Sequence, residues 1–171
     1  MNIARNNEIL RTTIDQDGIL RLTLNNQHNH NALSEEMMSN IQVALEESIN
    51  NKKIRTVIIS AEGPTFSAGH DLKELTNRRQ DPDKGKNYFK TVMKKCSKLM
   101  QTIVNSPKPV IAEVNGTATA AGCQLVASCD LAYASKAATF ATPGVNIGLF
   151  CSTPMVAVSR NISNKHSMEM L

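Results

Sequence analysis

Residues 108–130 read KPVIAEVNGTATAAGCQLVASCD, and no other stretch restricts the fold as much. Val110 to Val114 is a short apolar run bounded by turn residues, which reads as a buried strand. Asn115-Gly116 turns the chain, small residues fill Thr117 to Gly122, and an apolar helix is expected from about Ala121 to Cys129. Small residues between a strand and a helix N-terminus let a ligand approach the backbone. The free N–H groups and the positive end of the helix dipole then favour a negatively charged oxygen. A turn that is tight only for packing has the same sequence, so both readings stand.

A second turn of this kind lies upstream, in IISAEGPTFSAGHDL from Ile58 to Leu72. A buried strand leads through a Gly63-Pro64 loop into Phe66-Ser67-Ala68-Gly69-His70-Asp71-Leu72, with Asp71 placed to cap a short helix. Two such turns can each aim one backbone N–H at a common oxygen, the geometry of an oxyanion hole.

FSAGHDL paired with KPVIAEVNG and AAGCQLVASCD, with FATPGVNIGLFCSTP following, resembles the crotonase superfamily, the enoyl-CoA hydratase and isomerase fold. The resemblance runs from about Ile9 to the last residue. It implies an α/β chain of the ClpP/crotonase type, a spiral of repeated β-β-α units, here lacking the C-terminal helical part. Residues 1–171 form one core domain on this reading, with a flexible N-terminus at 1–8 and a mobile surface loop at 76–87. Family members continue into helices that complete the coenzyme A pocket and pack between subunits of a trimer, often paired into a hexamer. The chain is therefore expected to be a fragment, a truncated gene product or a short isoform, with apolar surface exposed where such helices dock.

The resemblance also implies a site. The ligand is an acyl-CoA thioester, with no separate cofactor and no metal. The oxyanion donors carry over to His70 N–H and Ala121 N–H; alanine at 121, where the family has glycine, is expected to crowd the hole if φ is positive there. Asn31-Ala32-Leu33 matches the segment lining the adenine end, and Ala32, Ala68, Asp71, Leu72, Ala120, Pro143 and Gly144 join His70 and Ala121 as substrate contacts. The two glutamates that hydrate an enoyl thioester align with Gln124 and Gly144. A neutral amide and a missing side chain exchange no proton at neutral pH, so two-glutamate hydration is not expected. The His70 ring either substitutes for them or merely packs. A catalytically silent acyl-CoA-binding protein and a malonyl-type decarboxylase, which needs little beyond enolate stabilisation, both remain open.

The rest of the chain narrows the partners. At 171 residues, 41% hydrophobic and 20% charged, it is an ordinary globular domain. The net charge of +4 is scattered, and two Tyr, four Phe and no Trp make no stacking platform, so no nucleic-acid partner is expected. A mild positive balance suits a phosphate-bearing ligand. No run reaches the length of a membrane span and residues 1–10 lack an apolar signal core, so the expected location is soluble and intracellular: the mitochondrial matrix in a eukaryote, the cytoplasm in a bacterium. Cys96, Cys123, Cys129 and Cys151 lack CxxC spacing and read as reduced, buried thiols. His28 and His30 fall in a polar stretch, Asn25 to Asn31, that reads as a solvated loop rather than a metal site.

Elsewhere the pattern predicts strands over Ile9–Asp15 and Ile19–Leu24 and a helix capped by Ser34 with Met37, Ile41, Leu45 and Ile49 inward. An amphipathic helix is expected through Phe89, Val92, Cys96, Leu99 and Ile103. Short strands are expected over Asp130–Ser135 and Thr139–Ala141, and Asp130 is expected to stabilise a turn. Val145 to Pro154 reads as irregular and buried against the ligand, and Met155 to Leu171 as helix.

Overall fold

The structure, a computed structural model, describes residues 5–6 and 9–171. The expectation of a flexible N-terminus falls largely outside these residues; of that stretch Arg5–Asn6 (β1) is described, paired antiparallel with the next strand. Leu10–Ile14 (β2) and Ile19–Leu24 (β3) form a hairpin across the Asp15–Gly18 turn. Asp15 closes it by accepting from the Asp17 and Ile19 amides, both at 2.9 Å.

Glu35–Asn50 (α1) follows, with Ser34 as its cap accepting from Met37 N–H at 3.1 Å. Met37, Met38, Ile41 and Leu45 are all buried, as the helical spacing dictates. Lys108 finishes this helix from outside: its ammonium donates to the Ser48 and Asn51 carbonyls, the latter at 2.7 Å. A cation on free C-terminal carbonyls answers the helix dipole. Lys108→Met is expected to cost about 1 kcal/mol in denaturant unfolding.

The remainder is built from β-β-α repeats. Thr56–Ala61 (β4) and Thr65–Ser67 (β5) lead to Leu72–Arg78 (α2) and Lys86–Val104 (α3). Val110–Val114 (β6) and Thr117–Thr119 (β7) lead to Ala121–Ser128 (α4). Leu131–Ala134 (β8) and Thr139–Ala141 (β9) lead to Ser152–Asn161 (α5) and Asn164–Met170 (α6). Each repeat gives its first strand to a six-stranded sheet ordered β1-β2-β3-β4-β6-β8. Each gives its second to a three-stranded sheet ordered β5-β7-β9. Strands from successive repeats pair in parallel in both sheets, so the chain climbs as a spiral and stacks equivalent turns beside one another. Leu22, Leu24, Val57, Ile59, Phe66, Leu99 and Leu125 fill the core between the sheets and helices.

Several expectations need correction. The small-residue runs hide two strands, β5 and β7, each three residues long and too short to show a period of two. The charged stretch 76–87 is shorter as a connection than expected, because α2 extends to Arg78 and α3 begins at Lys86. Val145 to Phe150 is not buried: Val145, Ile147, Leu149 and Phe150 are exposed, and only Cys151 and Pro154 turn inward. A 3-10 turn over Pro143–Ile147, ending at Gly148 with φ of 71°, can present only one side to the core. The C-terminal helix is two helices, divided at Ile162-Ser163. Exposed large apolar side chains concentrate from Leu131 onward, including Tyr133 on the edge strand β8, Phe140 and Met168.

Candidate functional site

The two turns singled out in the sequence meet. β5 and β7 are parallel neighbours, and the chains leaving them, Ala68-Gly69-His70 and Ala120-Ala121, run side by side. Thr119 Oγ1 donates to the Ala68 carbonyl at 3.1 Å, tying one turn to the other. Gly69 lies with φ at 90°; a Cβ there would stand 3.0 Å from the Ala121 nitrogen and 3.0 Å from the Ala120 Cβ. Glycine is demanded twice at this position, by conformation and by space.

The first turn is held on every side. Leu33 N–H donates to the Gly69 carbonyl at 2.7 Å and Ala68 N–H to the His30 carbonyl at 3.0 Å, so Ala32 is carried beside the turn. Asp71 caps α2 as expected, accepting from the Lys73 and Glu74 amides at 2.8 and 3.2 Å, and its other oxygen accepts from Asn29. Leu72 next to it is exposed, as is Ala68.

Asn31 is a residue that sequence reasoning missed. Placed in a solvated loop, it is in fact fully buried, with φ at 49°. Its amide donates to the Glu62 and Thr65 carbonyls at 2.9 and 2.7 Å and accepts from Asn26 N–H at 2.7 Å. Asparagine tolerates the left-handed region and can satisfy three backbone groups from one side chain. The signal available was the small residue that follows it, Ala32, marking a buried segment. His28 and His30, by contrast, are exposed.

The second turn contains the strained residue. Positive φ falls on Ala120 (φ 49°, ψ −122°) and not on Ala121, which opens α4 and is buried. The crowding expected at 121 therefore moves one residue upstream, into a region that glycine occupies freely and alanine does not. Ala120 N–H donates to the Ala141 carbonyl at 2.9 Å, which fastens the turn to β9 and to the Pro143-Gly144 segment just beyond it.

Among the described residues neither His70 N–H nor Ala121 N–H donates to a protein acceptor. The His70 ring is half-buried and its Nε2 is enclosed without a partner. Burial pulls its pKa below the ordinary histidine value of 6.5. The unfolded chain therefore binds more protons between that lowered value and 6.5, and folding stability falls as pH drops through this window. Denaturant midpoints at about pH 7.5 and 5.5 are expected to show this slope in the native chain and a shallower one in His70→Asn.

The positions aligned with the two glutamates are placed differently. Gln124 is half-buried on α4 and its amide oxygen accepts a long contact, 3.9 Å, from the Cys96 thiol on α3. Gly144 is packed: a Cβ would lie 2.6 Å from Cys151 Sγ and 2.7 Å from the Leu149 carbonyl oxygen, while Pro143 before it is exposed. Asp130 sits at the head of β6, accepting from Val110 N–H at 2.8 Å. Burial pushes the Cys96 and Cys123 thiols up to about 11 and Cys129 to about 12, so these stay protonated and unreactive at neutral pH. Cys151 is buried as well.

The two-sheet β-β-α spiral is shared with solved structures of the enoyl-CoA hydratase/isomerase type, and the family model described as enoyl-CoA hydratase/isomerase matches residues 15–171. The chain belongs to that family. It is 50% identical over 162 residues to mitochondrial enoyl-CoA hydratase domain-containing protein 3 of Rattus norvegicus, covering 95% of this chain and 52% of that protein. The crystal structure of the human enoyl-CoA hydratase domain-containing protein 3 superposes with a TM-score of 0.86 at 50% identity, over 95% of this chain and 62% of that one. An enoyl-CoA hydratase structure from Mycobacterium smegmatis gives 0.88 at 45% identity, over 96% and 62%. The chain thus spans about half the length of the curated relative it matches. Among the described residues no helix is long and apolar enough to cross a membrane.

Proposed function

We propose that this chain binds an acyl-CoA thioester with the carbonyl oxygen between His70 N–H and Ala121 N–H. The observation that carries the reading is Gly69: bare of a side chain, it lets the turn that leads into His70 pack against the Ala121 nitrogen, and neither the His70 nor the Ala121 amide has an acceptor among the described residues. Two pre-aimed dipoles on a thioester oxygen acidify the α-carbon and stabilise the enolate that forms when a proton is removed or when an α-carboxylate is lost as carbon dioxide, leaving its bonding pair behind. Ala32, Ala68, Asp71, Leu72 and Ala120 flank these donors and form the acyl-CoA contacts, with Pro143 and Gly144 beyond β9. Fatty acyl thioesters are the ligand class, with no further cofactor, and the compartment is the mitochondrion, which the names of several relatives carry.

Hydration through two glutamates is not part of the proposal. Gln124 carries no exchangeable acid and the space at Gly144 is taken by Cys151 and Leu149. That packing favours a second reading, a catalytically silent acyl-CoA-binding or regulatory protein; malonyl-type decarboxylation is the chemistry that the donors alone would support. Gln124→Glu by itself is expected to leave crotonyl-CoA hydration undetectable, and Gly144→Glu to unfold the Pro143–Cys151 segment locally.

Calorimetric titration with acetyl-CoA and crotonyl-CoA, followed by absorbance at the enoyl thioester band, tests the reading. Binding without loss of the enoyl band supports thioester binding and the silent form. Binding with turnover assigns the proton to a group other than Gln124 or Gly144. A folded chain that binds neither thioester refutes the proposal for this chain.

A further inference from the structure

Resting on the thioester reading above, we infer that the His70 imidazole is a neutral Nδ1–H donor, adding a third hydrogen bond to the acyl oxygen at the oxyanion turn. The two ring nitrogens have different surroundings. Nε2 is enclosed by protein and meets no hydrogen-bonding group, whereas Nδ1 is not among the enclosed atoms and has no protein partner among the described residues. Burial disfavours the charged ring, so one proton is shared between two nitrogens at neutral pH. Placing it on Nε2 would bury an N–H with no acceptor, the kind of orphan that folded proteins tolerate least. On Nδ1 the same proton reaches solvent or ligand.

Nδ1 is also the nitrogen closer along the side chain to its own main chain. His70 N–H and Nδ1–H leave the same residue on the same turn, and on this proposal both address one oxygen. The turn is rigid enough for that to matter: Gly69 is bonded to Leu33 on one side and packed on Ala120 and Ala121 on the other. A donor of this kind strengthens as charge builds on the oxygen. It also removes the ring from the list of bases that replace the missing glutamates, because the only lone pair, on Nε2, is out of reach of substrate.

Two experiments on the full chain decide this. In protein labelled with 15N histidine, the His70 ring signals are those missing from His70→Asn; near pH 7 they are expected to show a protonated Nδ1 and a bare Nε2. A proton on Nε2, or a ring averaging between tautomers, overturns the inference without any ligand. In acetyl-CoA calorimetry, His70→Ala is expected to bind about fivefold more weakly, consistent with one lost hydrogen bond. His70→Asn places an amide N–H near the Nδ1 position and is expected to recover most of the loss; His70→Gln, which reaches toward Nε2, is not. Equal affinity of His70→Ala and the native ring overturns the inference while leaving the backbone reading intact. Absence of binding by the native chain removes that reading and the ligand half of this one, and the ring spectrum still decides the tautomer.

Discussion

Gly122→Ala is expected to destabilise the fold by about 3 kcal/mol, a large loss for a single methyl group. A Cβ at Gly122 would sit 2.2 Å from the Ser67 carbonyl oxygen and 2.8 Å from the Ser67 Cβ. Neither obstacle can move cheaply. Ser67 is fully buried at the end of β5, and its hydroxyl accepts from Gly69 N–H at 3.3 Å. The methyl must therefore push α4 away from β5, which separates the two turns as well as loosening the core. Chemical denaturation measures the stability loss. A change below about 0.5 kcal/mol, the range of an unremarkable surface substitution, would show that α4 does not rest on β5 in the way described.

Gly69→Ala is expected to act mainly on the ligand. With φ at 90°, alanine is strained by about 2 kcal/mol before any contact is counted. The new methyl would also lie 3.0 Å from the Ala121 nitrogen, displacing one of the two donors from the other. Affinity for acetyl-CoA is expected to fall at least about tenfold, or 1.4 kcal/mol, beyond what the remaining folded fraction explains. Retention within about twofold in a folded variant would mean that the amides beside Gly69 do not hold the thioester.

Much of the fold was legible because its signals are local. Ser34 and Asp71 announced two helix starts through capping chemistry that needs only the next three residues. The apolar face of α3 and the buried run Val110–Val114 carry their own periodicity. The turns were legible too, since small residues before a helix have few uses. What could not be read locally is what parallel pairing between distant segments creates. β5 and β7 are three residues each and exist because the spiral stacks them. Asn31 looked like loop and is a buried clamp, because the carbonyls it satisfies come from Glu62 and Thr65. Ile147 and Phe150 read as buried against the ligand and are exposed. Apolarity shows what a side chain prefers, and the geometry of a 3-10 turn overrules it.

The candidate site divides along the same line. His70 and Ala121 were singled out from turn shape, which sets where a backbone amide points whatever the side chain, and among the described residues neither amide has a protein acceptor. The strain was assigned to the wrong alanine, because which residue of Ala120-Ala121-Gly122 takes positive φ is set by the bond from Ala120 to Ala141 on β9. Nor did the sequence show that Gly144 has no room for a side chain, which depends on Cys151 folding back onto it.

The most direct test of the central claim is a backbone amide spectrum of the 15N-labelled chain titrated with acetyl-CoA. The thioester reading predicts that the His70 and Ala121 amide protons move downfield together and saturate with one affinity, as both begin donating to the same oxygen. Saturable shifts elsewhere, with these two amides unmoved, would contradict it.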